Sequence, residues 1–120
     1  MAARIVRGEG APAYFPSLHD GVDARRLQGH EAGPTERFWV GESYYHPAGT
    51  AQTTPTAEET VYYVLDGELT LTVEDGPAET LGPGDSVHLP RGTVRSLENR
   101  TARGARLLVV IAIPTPENRP

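Results

Sequence analysis

Gly84-Asp85-Ser86-Val87-His88-Leu89-Pro90-Arg91-Gly92 reads as a complete turn–strand–turn unit. The glycines at its ends supply backbone conformations that side chains resist. Between them Ser86 to Leu89 forms a short strand, and Pro90 stops it because proline has no ladder donor. The same grammar repeats outward. Upstream lie Gly82-Pro83, a short strand at Ala78 to Leu81, and the turn Glu74-Asp75-Gly76-Pro77. Glu68 to Val73 (ELTLTV) alternates as a half-buried strand does, and Asp66-Gly67 carries the signal of a type I′ hairpin turn. Glu59 to Leu65 (ETVYYVL) is rich in β-branched and aromatic residues. Further back, Glu36 to His46 reads as a strand ending at the turn Pro47-Ala48-Gly49, and Thr50 to Thr56 as an irregular strand. Downstream, Thr93 to Glu98 and Arg106 to Ile113 complete the set. The last is a nearly continuous apolar run (RLLVVIAI) expected to be buried on both faces.

About eight antiparallel strands and no helix predict an all-β barrel or jelly roll. The 120 residues suit a single domain. The first 36 are least patterned, broken by Ala11-Pro12, Phe15-Pro16 and Gly33-Pro34, with one short strand expected at Val22 to Gln28. They read as an N-terminal arm packing on the barrel or on a second subunit. Residues 37–113 form the expected barrel core and 114–120 a tail. The net charge is −5, which argues against a nucleic-acid partner. All the basic side chains are Arg, and the absence of Cys excludes thiol chemistry and disulfides. No apolar run suits a membrane span, and Met1 to Gly10 lacks the hydrophobic core of a signal peptide. A cytoplasmic location with no membrane partner is the expectation.

The stretch from Gly84 onward also resembles a family motif. The second motif of the cupin superfamily runs Gly, five residues, Pro, one residue, Gly, two residues, His, three residues, Asn. Gly84, Pro90, Gly92 and Asn99 fall in place, and Arg95 stands at the His position. Gly49 and Gly67 similarly bracket a counterpart of the first motif, which ends in Tyr62-Tyr63-Val64-Leu65-Asp66-Gly67. Counting back from Gly67, its Glu position falls on Thr60. Its His pair falls on Thr54 and Thr56, or on Thr53 and Pro55 with the longer spacing. The resemblance covers roughly residues 38 to 113 and looks most like small cupins of the EutQ-like and cupin_3 groups. It implies a double-stranded β-helix (RmlC-like jelly roll) and a homodimer.

A cupin metal site needs three His and a carboxylate converging in the barrel. Thr is a weak ligand, and Arg cannot bind a cation and would repel one. The expectation is therefore no metal cofactor. If Arg95 points inward, the pocket suits an anion, most simply a carboxylate held by two hydrogen bonds. The alternative is that Arg95 pairs with a buried acid such as Glu59. Thr54, Thr56, Thr60, Tyr44 and His88 are further candidates for substrate binding, and Glu59, Tyr62 and His46 for moving protons. Parity puts Phe38, Val40, Glu42, Tyr44 and His46 on one face of their strand, and Trp39, Gly41, Ser43 and Tyr45 on the other. The first face either presents Glu42, Tyr44 and His46 to the interior or meets solvent or a partner. Glu58 and Glu59 point to opposite faces. His19 and His30 read as surface residues. A metal site rebuilt from His46, His88 and Glu59 or Glu42 is the remaining alternative.

Three functions compete: a metal-independent isomerase, cyclase or lyase acting on a small carboxylated or polyketide-like molecule; a non-catalytic binding module for an acidic metabolite; and an assembly protein with a filled barrel. Fold does not choose among them. An open cavity favours the first two, and apolar filling the third.

Overall fold

The computed structural model describes residues 2–114; the tail expected at 114–120 lies, beyond residue 114, outside them. Nine strands are present among the described residues. They are β1 (Ala13–Tyr14), β2 (His19–Gln28), β3 (Phe38–Pro55), β4 (Thr60–Asp66), β5 (Leu69–Val73), β6 (Glu79–Leu81), β7 (Ser86–Leu89), β8 (Val94–Glu98) and β9 (Ala105–Ala112). The helical content is two short 3-10 turns, Gly8–Gly10 and His30–Ala32. No helix is long and apolar enough to cross a membrane. The architecture is the expected jelly-roll barrel.

β3 belongs to both of its layers. Its first half, Phe38 to Tyr45, pairs with β9, which continues through β4 to β7. Its second half, Thr50 to Pro55, pairs with β8, which continues through β5 to β6. β2 runs antiparallel along both halves, with a register shift between Asp20 and Val22, and β1 pairs with β2.

The bend in β3 corrects the sequence reading, which ended a strand at Pro47-Ala48-Gly49. Ala48 takes a left-handed φ of 67°, yet the strand continues because Asn99 holds both sides of the bend. The Ala48 amide donates to Asn99 O at 3.0 Å, and the Asn99 amide donates to Gly49 O at 2.9 Å. The buried Asn99 side chain adds bonds from Nδ2 to Tyr45 O and Arg103 O, and accepts at Oδ1 from Thr101. β2 bends opposite, at Gly21 (φ 66°). The two backbones touch there: a Cβ on Gly49 would press into Gly21 O and lie 2.8 Å from His46 O.

Asp66-Gly67 is a second correction. β4 and β5 do not pair with each other, so this is no hairpin. Gly67 alone of the two has positive φ (78°), and it carries the chain from one layer to the other past Gly104 and Ala105. The β9 run is a third. Ala105, Leu107 and Val109 are buried, but Leu108 and Val110, on the outer face, are only half-buried.

Leu69, Leu71 and Leu97 of one layer pack with Val64, Leu89 and Leu107 of the other. Each such side chain contributes about 2 kcal/mol when fully buried. Along β4, Val64 belongs to this packed end, whereas Tyr62 and Thr60 face an open one.

Gly49→Ala is expected to lower stability by about 2 kcal/mol or more, because the atom in its way is backbone and cannot swing aside. Gly8→Ala, with open space around it, is expected to stay within about 0.5 kcal/mol. Urea unfolding of the two variants checks the contrast.

Candidate functional site

The open end of the barrel holds a cavity of about 860 Å³. Arg95, on the inner face of β8 beside Leu97, reaches into it and is only 7% exposed. Its Nε donates to the Tyr62 hydroxyl at 2.9 Å and its Nη1 to Gln52 O at 3.0 Å. Both acceptors are neutral, and Arg95 makes no ion pair among the described residues. A buried cation without a counter-charge is costly and leaves an attractive field for an anionic or hydroxyl-rich ligand.

Around it the wall is rich in hydroxyls. Ser43, Thr54, Thr56, Thr60, Tyr45 and Tyr62 all line the cavity. Two of them donate to main-chain carbonyls: Thr56 Oγ1 to Pro90 O and Thr60 Oγ1 to Glu58 O, each at 2.9 Å. Burial pushes the Tyr45 phenol far up and raises Tyr14 as well, so both remain protonated.

Two carboxylates line the same space, Glu31 and Glu58. Glu31 sits at the rim and accepts from Arg26 at 3.1 Å. A hydrogen bond from its own backbone, helped by Arg26, holds it below the usual carboxylate range. The Arg26 guanidinium also lies over the Tyr14 ring (3.6 Å) and the Trp39 ring (4.1 Å). Glu58 is half-buried, and its carboxylate makes no ion pair or hydrogen bond among the described residues.

His19 lines the cavity too. Its Nδ1 is 2.8 Å from Ser17 O, and its ring lies 6.5 Å from that of Tyr45. Burial lowers its pKa; the Ser17 hydrogen bond opposes this and the charge on Arg95 adds to it.

Of the residues singled out from sequence, Thr54, Thr56, Thr60, Tyr62 and Arg95 meet in the cavity. Tyr44, His46, Glu59 and His88 do not line it; each is exposed. His46 Nε2 bonds to Asp23 at 2.7 Å, and Tyr44 packs edge-on against His46. His88 Nε2 bonds to Glu59 at 2.6 Å. Glu42 accepts from Arg25 and Arg106. The face of β3 turned inward is thus Trp39, Ser43 and Tyr45, because turning the other face inward would strip Glu42 and His46 of water and of their outer partners. Glu59 turns out toward His88, so it is not the partner of Arg95, and Glu58 takes the inward side.

Thr54, Thr56, Thr60 and Arg95, which stand where the sequence motifs carry metal ligands, are poor or repelling partners for a cation, and among the described residues no group of three or more His, Asp or Glu is placed to hold one. Of the rebuilt set, His88 and Glu59 meet on the outer surface, but His46 pairs with Asp23 and Glu42 with Arg25 and Arg106, so no third ligand joins them.

Residues 41–111 match the family model described as "Cupin domain". The chain is a cupin. It is similar to the beta-D-galactosidase Rv1717 of Mycobacterium tuberculosis, 56% identical over 114 residues, spanning 95% of this chain and 97% of that protein. Among solved structures it is similar to the polyketide cyclase RemF from Streptomyces resistomycificus, with a TM-score of 0.81 and 27% identity. That match covers 97% of this cupin and 82% of RemF. An RmlC-like cupin from Shewanella frigidimarina superposes with a TM-score of 0.75 over 97% of this chain and 96% of that one. At 17% identity it shows the fold alone.

Sequence reasoning missed His19, Glu58, Trp39 and Tyr14 as lining residues of this cupin. Glu58 had a signal: its opposite parity to Glu59. His19 had none, because nothing in the unpatterned arm shows that β2 lies along both layers.

The lowered pKa of His19 fixes a sign. Below about pH 6.5 the unfolded chain binds a proton at this His that the folded cupin does not. Stability is therefore expected to fall as pH drops through about 6.5 and to level off below the folded value. His19→Asn is expected to flatten that limb in urea titrations run from pH 8 to pH 5.

Proposed function

We propose that this cupin is an enzyme that binds a small, hydroxyl-rich or anionic molecule in its barrel and hydrolyses β-D-galactosides there without a metal. The observation that carries the reading is the meeting of Glu58 and Arg95 in one cavity, each without an ion-pair partner among the described residues. Charged groups held apart in a partly dry pocket are available to a ligand. A volume of about 860 Å³ accommodates a monosaccharide with part of its leaving group. The 56% identity to a protein named a beta-D-galactosidase, over nearly the whole of both chains, supports this choice of reaction.

Glycoside hydrolysis calls for a carboxylic acid beside the scissile oxygen and disfavours a cation beside the positive charge that develops on the sugar ring. These demands orient the substrate. The sugar hydroxyls point to Arg95, Tyr62 and the other wall hydroxyls, while the anomeric carbon faces Glu58. Glu58 then protonates the leaving oxygen.

A second reading is an isomerase, cyclase or lyase that grips a carboxylate or enolate at Arg95. The unpaired guanidinium favours it, as does the 27% identity to a structure named a polyketide cyclase. An assembly role is less well supported, because the open end of the barrel is not filled.

The test is hydrolysis of p-nitrophenyl β-D-galactopyranoside by chelator-treated protein. Nitrophenol release by the wild type is expected, with kcat falling about 100-fold or more in Glu58→Gln. Wild type no faster than the buffer blank would overturn the hydrolase reading. Calorimetric binding of small carboxylates that disappears in Arg95→Met would then support the second.

A further inference from the structure

The β1–β2 turn brings a histidine, His19, to the cavity. Leu18 adopts φ 58°, a left-handed conformation that a branched side chain resists. The turn is held there because the Gln52 amide donates to Leu18 O at 2.8 Å. The same residue, through its own carbonyl oxygen, accepts from Arg95. One point on β3 thus fixes both the turn and the buried cation. With the chain turned back in this way, Ser17 O meets the His19 ring at 2.8 Å. A carbonyl oxygen can only accept, so Nδ1 must be the protonated nitrogen. The other ring nitrogen, Nε2, has no hydrogen-bond partner among the described residues, and the side chain lines the cavity.

We propose that His19 is the general base of this cavity, with Nδ1–H committed to Ser17 and the Nε2 lone pair left to take a proton from the attacking water. The proposal rests on the hydrolase reading and assigns it a residue. In the step, the water oxygen bonds to the anomeric carbon and its proton moves to Nε2. The glycosidic C–O bond breaks, its electron pair goes to the leaving oxygen, and Glu58 gives that oxygen a proton. Solvent then carries the proton from His19 back to Glu58. A backbone carbonyl that fixes the tautomer of an imidazole is a recurrent way to hold such a base. The titratable and charged groups around the cavity are Arg95 of β8, Tyr45 of β3, Tyr62 of β4, Glu58, and the rim set of Tyr14, Arg26 and Glu31. Burial and Arg95 both favour the neutral ring that a base requires.

His19→Asn is the informative variant, since its amide can still donate to Ser17 O but offers no basic nitrogen. With p-nitrophenyl β-D-galactopyranoside, kcat is expected to fall about 100-fold or more, with KM changed less than about threefold. The acid limb of the pH–kcat profile is expected to vanish. Long-range proton–nitrogen spectra of the labelled full chain are expected to show His19 as the Nδ1–H tautomer, its ring signals moving when galactose is added. Activity of His19→Asn within threefold of wild type would overturn the proposal, as would an Nε2–H tautomer. Should the wild type prove inactive on the galactoside, the hydrolase reading fails by itself. The spectra then decide for His19: an Nδ1–H ring shifted by galactose or galacturonate keeps it as the cavity's base, and an unmoved ring removes it.

Discussion

The whole architecture depends on one strand not stopping. β3 runs from Phe38 to Pro55 and serves as an inner member of both layers. It can do so only if it bends without losing its partners. Two backbones that touch at Gly21 and Gly49, and one buried Asn that bonds across the bend, meet that requirement. With β3 bent, its halves present Trp39, Ser43 and Tyr45 to one side of the cavity and Thr54 to another. β8, registered on the second half with Thr54 opposite Arg95, is then obliged to aim Arg95 inward.

An inward Arg changes what the barrel can do. Hydrophobic packing fills the end near Val64, Leu69 and Leu97, and the same strands continue past it into a space lined by hydroxyls. Burying a guanidinium against neutral oxygens spends part of the stability that the leucine core provides. That cost is acceptable where a ligand supplies the missing partner. A charge pair on the outer surface, such as Arg100 with Glu98, lies largely in water and contributes little.

Most of the fold was legible because turns announce themselves. The spacing of Gly84, Pro90, Gly92 and Asn99 predicted the motif, and the strands from β4 to β9 fell close to their expected places. Strand continuity was less legible. Pro47-Ala48-Gly49 carries every local signal of a turn, and only the distant Asn99 makes it a bend within a strand. Asp66-Gly67 failed for a similar reason: a local hairpin signal was overridden by which layer each neighbour joins. At the site, Thr60 and Tyr62, both singled out from the first motif, line the cavity, whereas parity on β3 gave two faces without saying which was inner. Only one of the two faces carries ionisable groups of the acid and imidazole kind, Glu42 and His46, and their outer partners Arg25, Arg106 and Asp23 settle the orientation. His19 was out of reach, because its place depends on a register between β2 and β3 that no local pattern encodes.

The main chain of Gln52, through its N–H and its C=O, links the β1–β2 turn to Arg95, while its side chain is exposed. Position 52 can therefore drift among most residue types without disturbing the link, so comparing side chains there would reveal nothing of its importance. Proline is the exception, since it removes the amide that holds Leu18. A function carried by backbone is in this sense hidden from selection on side chains, and two functional groups can stay coupled while the residue between them varies.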